Sequence, residues 1–268
     1  MSSPYQSALR LGVRHARRRL AEARPADDQR VRELFPRDVS ALRFGRHDRL
    51  DELLEWLDVP RHEPLRADAP GGRIFVVGGV AADKRPSVEA ARVFVTEGRT
   101  LLTSADNVDL AVELAPELAP AKATASWTEA PEAKSWSKPQ TGWSRPEPSS
   151  WSNAGSPPDP ITAPRLQWAL GDLEPAWAET GDSFGGDGWV RQGDRALAAS
   201  VAVGDGRLVH FGGALLSWST PPAGEMKSPA ELGIEESEHD GSPVDERALR
   251  VGVTAGALLL ELVLAATR

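Results

Sequence analysis

Residues 73–106 read RIFVVGGVAADKRPSVEAARVFVTEGRTLLTSAD, and the fold class turns on this stretch. Ile74, Phe75, Val76 and Val77 are a continuous β-branched or aromatic run, the pattern of a strand buried on both faces of a parallel sheet. Gly78 and Gly79 end it. Pro86 suits the first turn of a helix and Gly98 the left-handed residue beyond its last turn. Between them Val88, Ala91, Phe94 and Val95 share one helical face. Thr100 to Thr103 follow as a second strand. Strand, crossover helix and strand make a βαβ unit, right-handed in nearly all proteins.

The elements around this unit continue the alternation. Val39, Ala41 and Leu42 suit a short strand. Asp48 to Leu57 (DRLDELLEWL) suits a helix with Leu50, Leu53, Leu54 and Leu57 on one side and Asp48 as its cap. Val59 to Leu65 suits another short strand. Later, Arg195 to Val203 and Arg207 to Gly212 flank Gly204-Asp205-Gly206 as a β-hairpin. Leu166 to Leu170 is a short apolar stretch, and Gly181 to Gly188 (GDSFGGDG) a loop. The expected fold is a three-layer α/β domain, a mostly parallel sheet flanked by helices, over 39–268. Residues 1–38 are expected as a basic helical extension, and 115–164 as a long irregular insertion.

Composition narrows the chemistry. The chain has 268 residues, 40% of them hydrophobic, with 22 prolines, 24 glycines, a net charge of −8 and no cysteine. Disulfides, thiolate metal sites and cysteine nucleophiles are therefore excluded. The acidic balance argues against nonspecific nucleic-acid binding, and a cytoplasmic protein is expected. The five histidines fall at no metal-ligand spacing, so neither metal nor cofactor is expected. The loop GDSFGGDG lacks the acidic spacing of a calcium site, and neither a GxxxxGK[ST] nor a GxGxxG phosphate loop is present.

Three stretches stand apart. Arg10, Arg14, Arg17, Arg18, Arg19 and Arg24 oppose the single acid Glu22, while Tyr5, Leu9, Val13, Ala16 and Leu20 recur at helical spacing. This predicts an amphipathic helix with a basic outer face, either solvated or docking through Arg14, Arg17 and Arg18 to an acidic partner or a lipid surface. The Pro- and Ser-rich insertion carries Trp127, Trp136, Trp143 and Trp151. These either fold back as apolar pegs, present anchors to a protein partner, or stack on sugars or bases. The last helix, from an Asp245 cap to Thr267, is apolar from Val251 to Ala266 but interrupted by Glu261. A buried core helix fits this better than a membrane anchor, which needs about 20 apolar residues.

The order LLEWLDVP (53–60), VVGG (76–79), FVTEGRTLLTSAD (94–106), VAVGDGRLVHFGG (201–213) and an apolar terminal helix resembles the class I glutamine amidotransferase-like superfamily. The likeness is to its non-catalytic or uncharacterised bacterial branches, including trehalose-utilisation-type domains and a membrane-associated domain of unknown function. It covers 39–114 and 189–267 and rests on glycines and apolar positions. The long Trp-bearing insertion and the missing flanking membrane spans depart from it. The resemblance implies a flavodoxin-like three-layer fold. It also implies a cysteine-dependent glutaminase site, which a chain without cysteine cannot form; no GxSxG elbow offers a serine instead. The expected function is thus a non-enzymatic scaffold or regulatory protein-interaction module. The alternative is a small-molecule-binding protein or hydrolase at the carboxyl ends of the strands, where Gly78, Gly79, Asp83, Ser104, Asp106, Asn107 and His210 would gather. There the glycines read equally as tight turns and Asp106 as a helix cap.

Overall fold

A computed structural model describes residues 4–42, 50–119, 160–177, 184–212, 225–234 and 242–267. Seven strands form one sheet: β1 (Val39–Ala41), β2 (Ile74–Val77), β3 (Thr100–Ser104), β4 (Ile161–Thr162), β5 (Asp187–Gln192), β6 (Arg195–Val203) and β7 (Gly206–Phe211). Their spatial order is β1-β2-β3-β7-β6-β5-β4. The first four are mutually parallel, and β6, β5 and β4 add antiparallel neighbours. Val77 lies opposite Thr103, and Thr103 opposite His210, so the polar ends of three parallel strands stand side by side.

Helices cover both faces. Ile74 and Val76 pack with α1 (Pro4–Ala23), α3 (Leu50–Trp56) and α7 (Glu246–Ala266); Phe75 and Val77 pack with α4 (Val88–Thr96) and α5 (Val108–Leu114). The alternation of side chains along β2 sends each half of its apolar run to a separate core. Beside α1 lies α2 (Pro25–Glu33), and α6 (Gln167–Leu170) is the single turn found in the Leu166–Leu170 stretch.

The Val59–Leu65 strand reduces to one parallel bridge between His62 and Ser40, with His62 N–H donating to Val39 O and Ala41 N–H to His62 O, both at 3.0 Å. Pro60 and Pro64 remove two backbone donors, which shortens the ladder. This bridge lies on the side of β1 away from β2. The chain therefore steps from β1 first one way and then the other, and the reversal places the open crevice of such a sheet between β1 and β2.

Three further expectations change. Pro86 precedes α4 rather than beginning it: Ser87 is the cap, its Oγ accepting from Ala90 N–H at 3.3 Å. The irregular 115–164 segment has ordered ends, with a 3-10 turn at Pro116–Leu118 and β4 paired to β5, and with Leu118 and Ala163 buried. Residues 1–38 are not peripheral. Helix α1 packs along α7, and Leu9, Val13, Ala16 and Leu20 are buried in the same core as β1 and β2.

Helix α7 is, among the described residues, the helix long and apolar enough to cross a membrane, with a mean hydropathy of 1.8; 83% of that window is buried inside the fold. Its cap is the expected one, Asp245 Oδ1 accepting from Ala248 N–H at 2.8 Å. Glu261 is held by an ion pair to Arg24, beyond the C-terminal end of α1.

Candidate functional site

At the strand ends the fold brings together some of the expected residues and separates others. Gly79 N–H donates to Ser104 Oγ at 3.2 Å, tying the end of β2 to the end of β3. His210 Nδ1 lies 2.9 Å from Thr103 Oγ1, and the Thr103 hydroxyl also reaches Val209 O at 3.3 Å. Asn107 donates from Nδ2 to Val77 O at 3.5 Å. Ser104, Asn107, Thr103 and His210 are all fully buried. Asp83 and Asp106 are exposed on the loops that follow. Asp106 caps nothing: it sits in a 3-10 turn, Ala105–Asn107, and Asn107 holds the position before α5.

Two hydrophobic side chains close this rim. Leu50 occupies the space beside Gly78, where a Cβ would lie 3.0 Å from the Leu50 Cβ and Cγ. Phe184, in the stretch expected as a loop, is buried with its ring edge-on to His210, centroids 4.6 Å apart at 83°. Burial pushes the His210 pKa down to about 4, so the imidazole is neutral near pH 7. His210 Nε2 and Asn107 Oδ1 have no hydrogen-bond partner among the described residues. A neutral, enclosed histidine without a carboxylate beside it is poorly placed as a general base, which must reach the proton it removes.

The basic helix presents a second constellation. Arg10, Arg14, Arg17 and Arg18 of α1 and Arg32 of α2 line an open cleft of about 550 Å³. The end of α3 forms its other wall, with Trp56 half-buried and the carboxylates of Glu55 and Asp58 beside it. Most of these charges are already engaged. Arg17 is buried and ion-paired with Asp28, which also takes Arg32 Nε at 2.8 Å. Burial draws the Arg17 pKa below the usual arginine value, and Asp28 pushes it back. Arg18 donates to His15 Nδ1 at 3.1 Å and lies 3.4 Å from Glu22. Glu55 is held by Arg61 at 2.9 Å. Arg10 and Arg14 are exposed and carry no carboxylate partner among the described residues.

Of the three arginines expected to dock a partner, then, Arg14 is open, Arg18 is half-engaged and Arg17 faces inward. The tryptophans Trp127, Trp136, Trp143 and Trp151 lie outside the described residues. Sequence reading put Arg10 in the basic stretch but not among the docking residues, and did not single out Arg32 or Trp56, because only the packing of α1, α2 and α3 brings them to one cleft. The i, i+4 spacing of Arg10 and Arg14 was the one local sign. No group of three or more metal-ligating side chains occurs among the described residues. The chain matches no family model, no curated protein and no solved structure.

Proposed function

We propose that the chain is a non-enzymatic scaffold or regulatory module that engages a protein partner, with the α1–α2–α3 cleft as its anion-accepting surface. The observation that carries this is the pair Arg10 and Arg14, two cations without a carboxylate partner among the described residues, in the wall of a concave site. An arginine that has no carboxylate of its own is available to one supplied from outside, and such a charged cleft also raises the local concentration of anionic ligands. The amidotransferase-like ancestry and the cytoplasmic location belong to the same proposal. Support for the ancestry is that VGDGRLV leads into β7, which is parallel to β3 as a returning core strand. Glutaminase chemistry stays outside it, because the chain has no cysteine.

The test is capture of a partner by three purified chains: intact, R10E/R14E, and lacking residues 120–160. A partner held by the intact chain and lost with R10E/R14E supports the cleft; one lost with the deletion assigns the contact to the tryptophan-bearing segment. Equal capture by all three chains sinks both surfaces.

The second reading, a small-molecule site or hydrolase at the strand ends, is favoured by two buried atoms without a hydrogen-bond partner among the described residues, His210 Nε2 and Asn107 Oδ1. Buried polar atoms of this kind are normally paired, by protein, water or ligand. A ligand screen in which H210L and N107L bind as the intact chain does would remove this reading.

A further inference from the structure

We infer that the arginine cleft is a site for a nucleotide-sized phosphate ester, its phosphates on Arg10 and Arg14 and its planar ring against Trp56. The inference rests on reading the cleft as anion-accepting, and adds the chemical class of the ligand.

Three features select that class. The first is size: about 550 Å³ falls within the usual range for small-molecule pockets. The second is the cation. Guanidinium groups present paired N–H donors that match two phosphate oxygens at once. Arg10 and Arg14 fall on successive turns of α1, about 6 Å apart along one helix face at 1.5 Å rise per residue. That spacing suits a pair of phosphates better than a single carboxylate. The third is Trp56, a half-buried indole in the opposite wall of a site otherwise lined by charge. An aromatic face there gains from stacking with a base, which any base can supply.

The carboxylates do not cancel this. Glu55 is engaged by Arg61, Asp28 is taken up by Arg17 and Arg32, and the charge of Asp58, the other wall carboxylate, acts on Arg17, whose charged form it favours. Asp58 lies at the end of α3 with a φ of 53°, fixed by the turn that follows the helix.

The experiment is isothermal titration of the full chain, in metal-free buffer, with ADP, with inorganic pyrophosphate and with poly-L-glutamate. ADP and pyrophosphate are expected to bind, ADP more tightly by roughly tenfold, as a stacked base would add. R10E/R14E, changed only at exposed positions, is expected to weaken both by at least about tenfold with an unchanged unfolding temperature. W56L is expected to remove the advantage of ADP over pyrophosphate. If W56L does not fold, the ratio of the two affinities in the unaltered chain reads the ring's share. No heat with ADP at millimolar concentration, equal affinity for ADP and pyrophosphate, or equal binding by R10E/R14E overturns the inference. Binding of poly-L-glutamate alone also overturns it, while leaving the anion-accepting module standing; no binding by any of the three removes both.

Discussion

Gly12 of α1 and Gly252 of α7 are in direct contact: a Cβ built on Gly252 would lie 3.2 Å from the Gly12 Cα and overlap the Leu9 carbonyl oxygen. A Cβ on Gly12 would likewise overlap the Leu249 carbonyl. Backbone against backbone leaves no flexible side chain to move aside, so either addition must push the helices apart. Gly12→Ala and Gly252→Ala are each expected to destabilise the fold by roughly 1–3 kcal/mol, the usual cost of overpacking. Urea unfolding checks this, and a midpoint equal to that of the unaltered chain would show that the two helices do not meet this closely.

A second contact between the same ends of the chain is ionic. Arg24 pairs with Glu261 and Asp27, and its guanidinium also lies 5.4 Å from the centre of the Trp168 ring. Glu261 and Asp27 keep little side-chain exposure, 17% each. Arg24→Met therefore strands Glu261 among the described residues and takes one cation from Asp27, which keeps Arg30 at 3.5 Å, whereas Glu261→Gln removes one carboxylate and leaves Arg24 its other partner. Between the small value of exposed pairs and the large cost of breaking buried ones, Arg24→Met should cost about 1–2 kcal/mol. Glu261→Gln should cost less. The reverse order in unfolding free energies would mean that Glu261 contributes through something other than its pair with Arg24.

How far the fold could be read from sequence depends on where each signal lies. The β2–α4–β3 unit and the β6–β7 hairpin were legible because their cues are local: β-branched runs closed by glycines, and a turn at Gly204 and Asp205. The cap at Asp245 was legible for the same reason. What escaped was the meeting of the chain's ends. The arginines of α1 dominated its reading as an exposed basic helix, yet Gly12 only gains meaning beside Gly252, on a helix more than two hundred residues away. The cleft escaped too, since Arg32 and Trp56 join Arg10 and Arg14 through packing alone. At the strand ends Phe184 escaped as well: it arrives from a glycine-rich loop and sets its ring edge-on to His210.

The start of α7 gives a third expectation. Asp245 is buried, pairs in β9 (Val244–Asp245) with Met226 of β8 (Met226–Lys227), and accepts from Ala248 N–H. Loss of a capping carboxylate costs typically about 1 kcal/mol and up to 2. Asp245→Ala should therefore destabilise the fold by about that amount, while Asp245→Asn, which keeps an accepting oxygen, should recover most of it. Equal losses for the two variants would show that charge, and not the cap, is what Asp245 contributes.

The pH dependence of stability follows from two buried histidines. Burial lowers both His210 and His15 to about 4; Arg18 and Arg19 add to the effect on His15 and Glu22 opposes it. Both groups start from an ordinary value of 6.5, which they regain in the unfolded chain. Between those limits the unfolded state binds protons that the folded state refuses, so stability is complete above about pH 6.5 and is lost as pH falls toward 4. For a group as enclosed as His210 the slope approaches about 1.4 kcal/mol per pH unit. Asp109, held low by its hydrogen bond to Arg85, acts in a separate window, below its ordinary 3.8. His210→Gln and His15→Gln remove the histidine titration without introducing another. Each variant should lose less stability than the unaltered chain between pH 7 and pH 4.5, with urea midpoints as the readout. Parallel curves would mean that His210 takes up its proton inside the fold, and that water reaches Nε2 past Phe184.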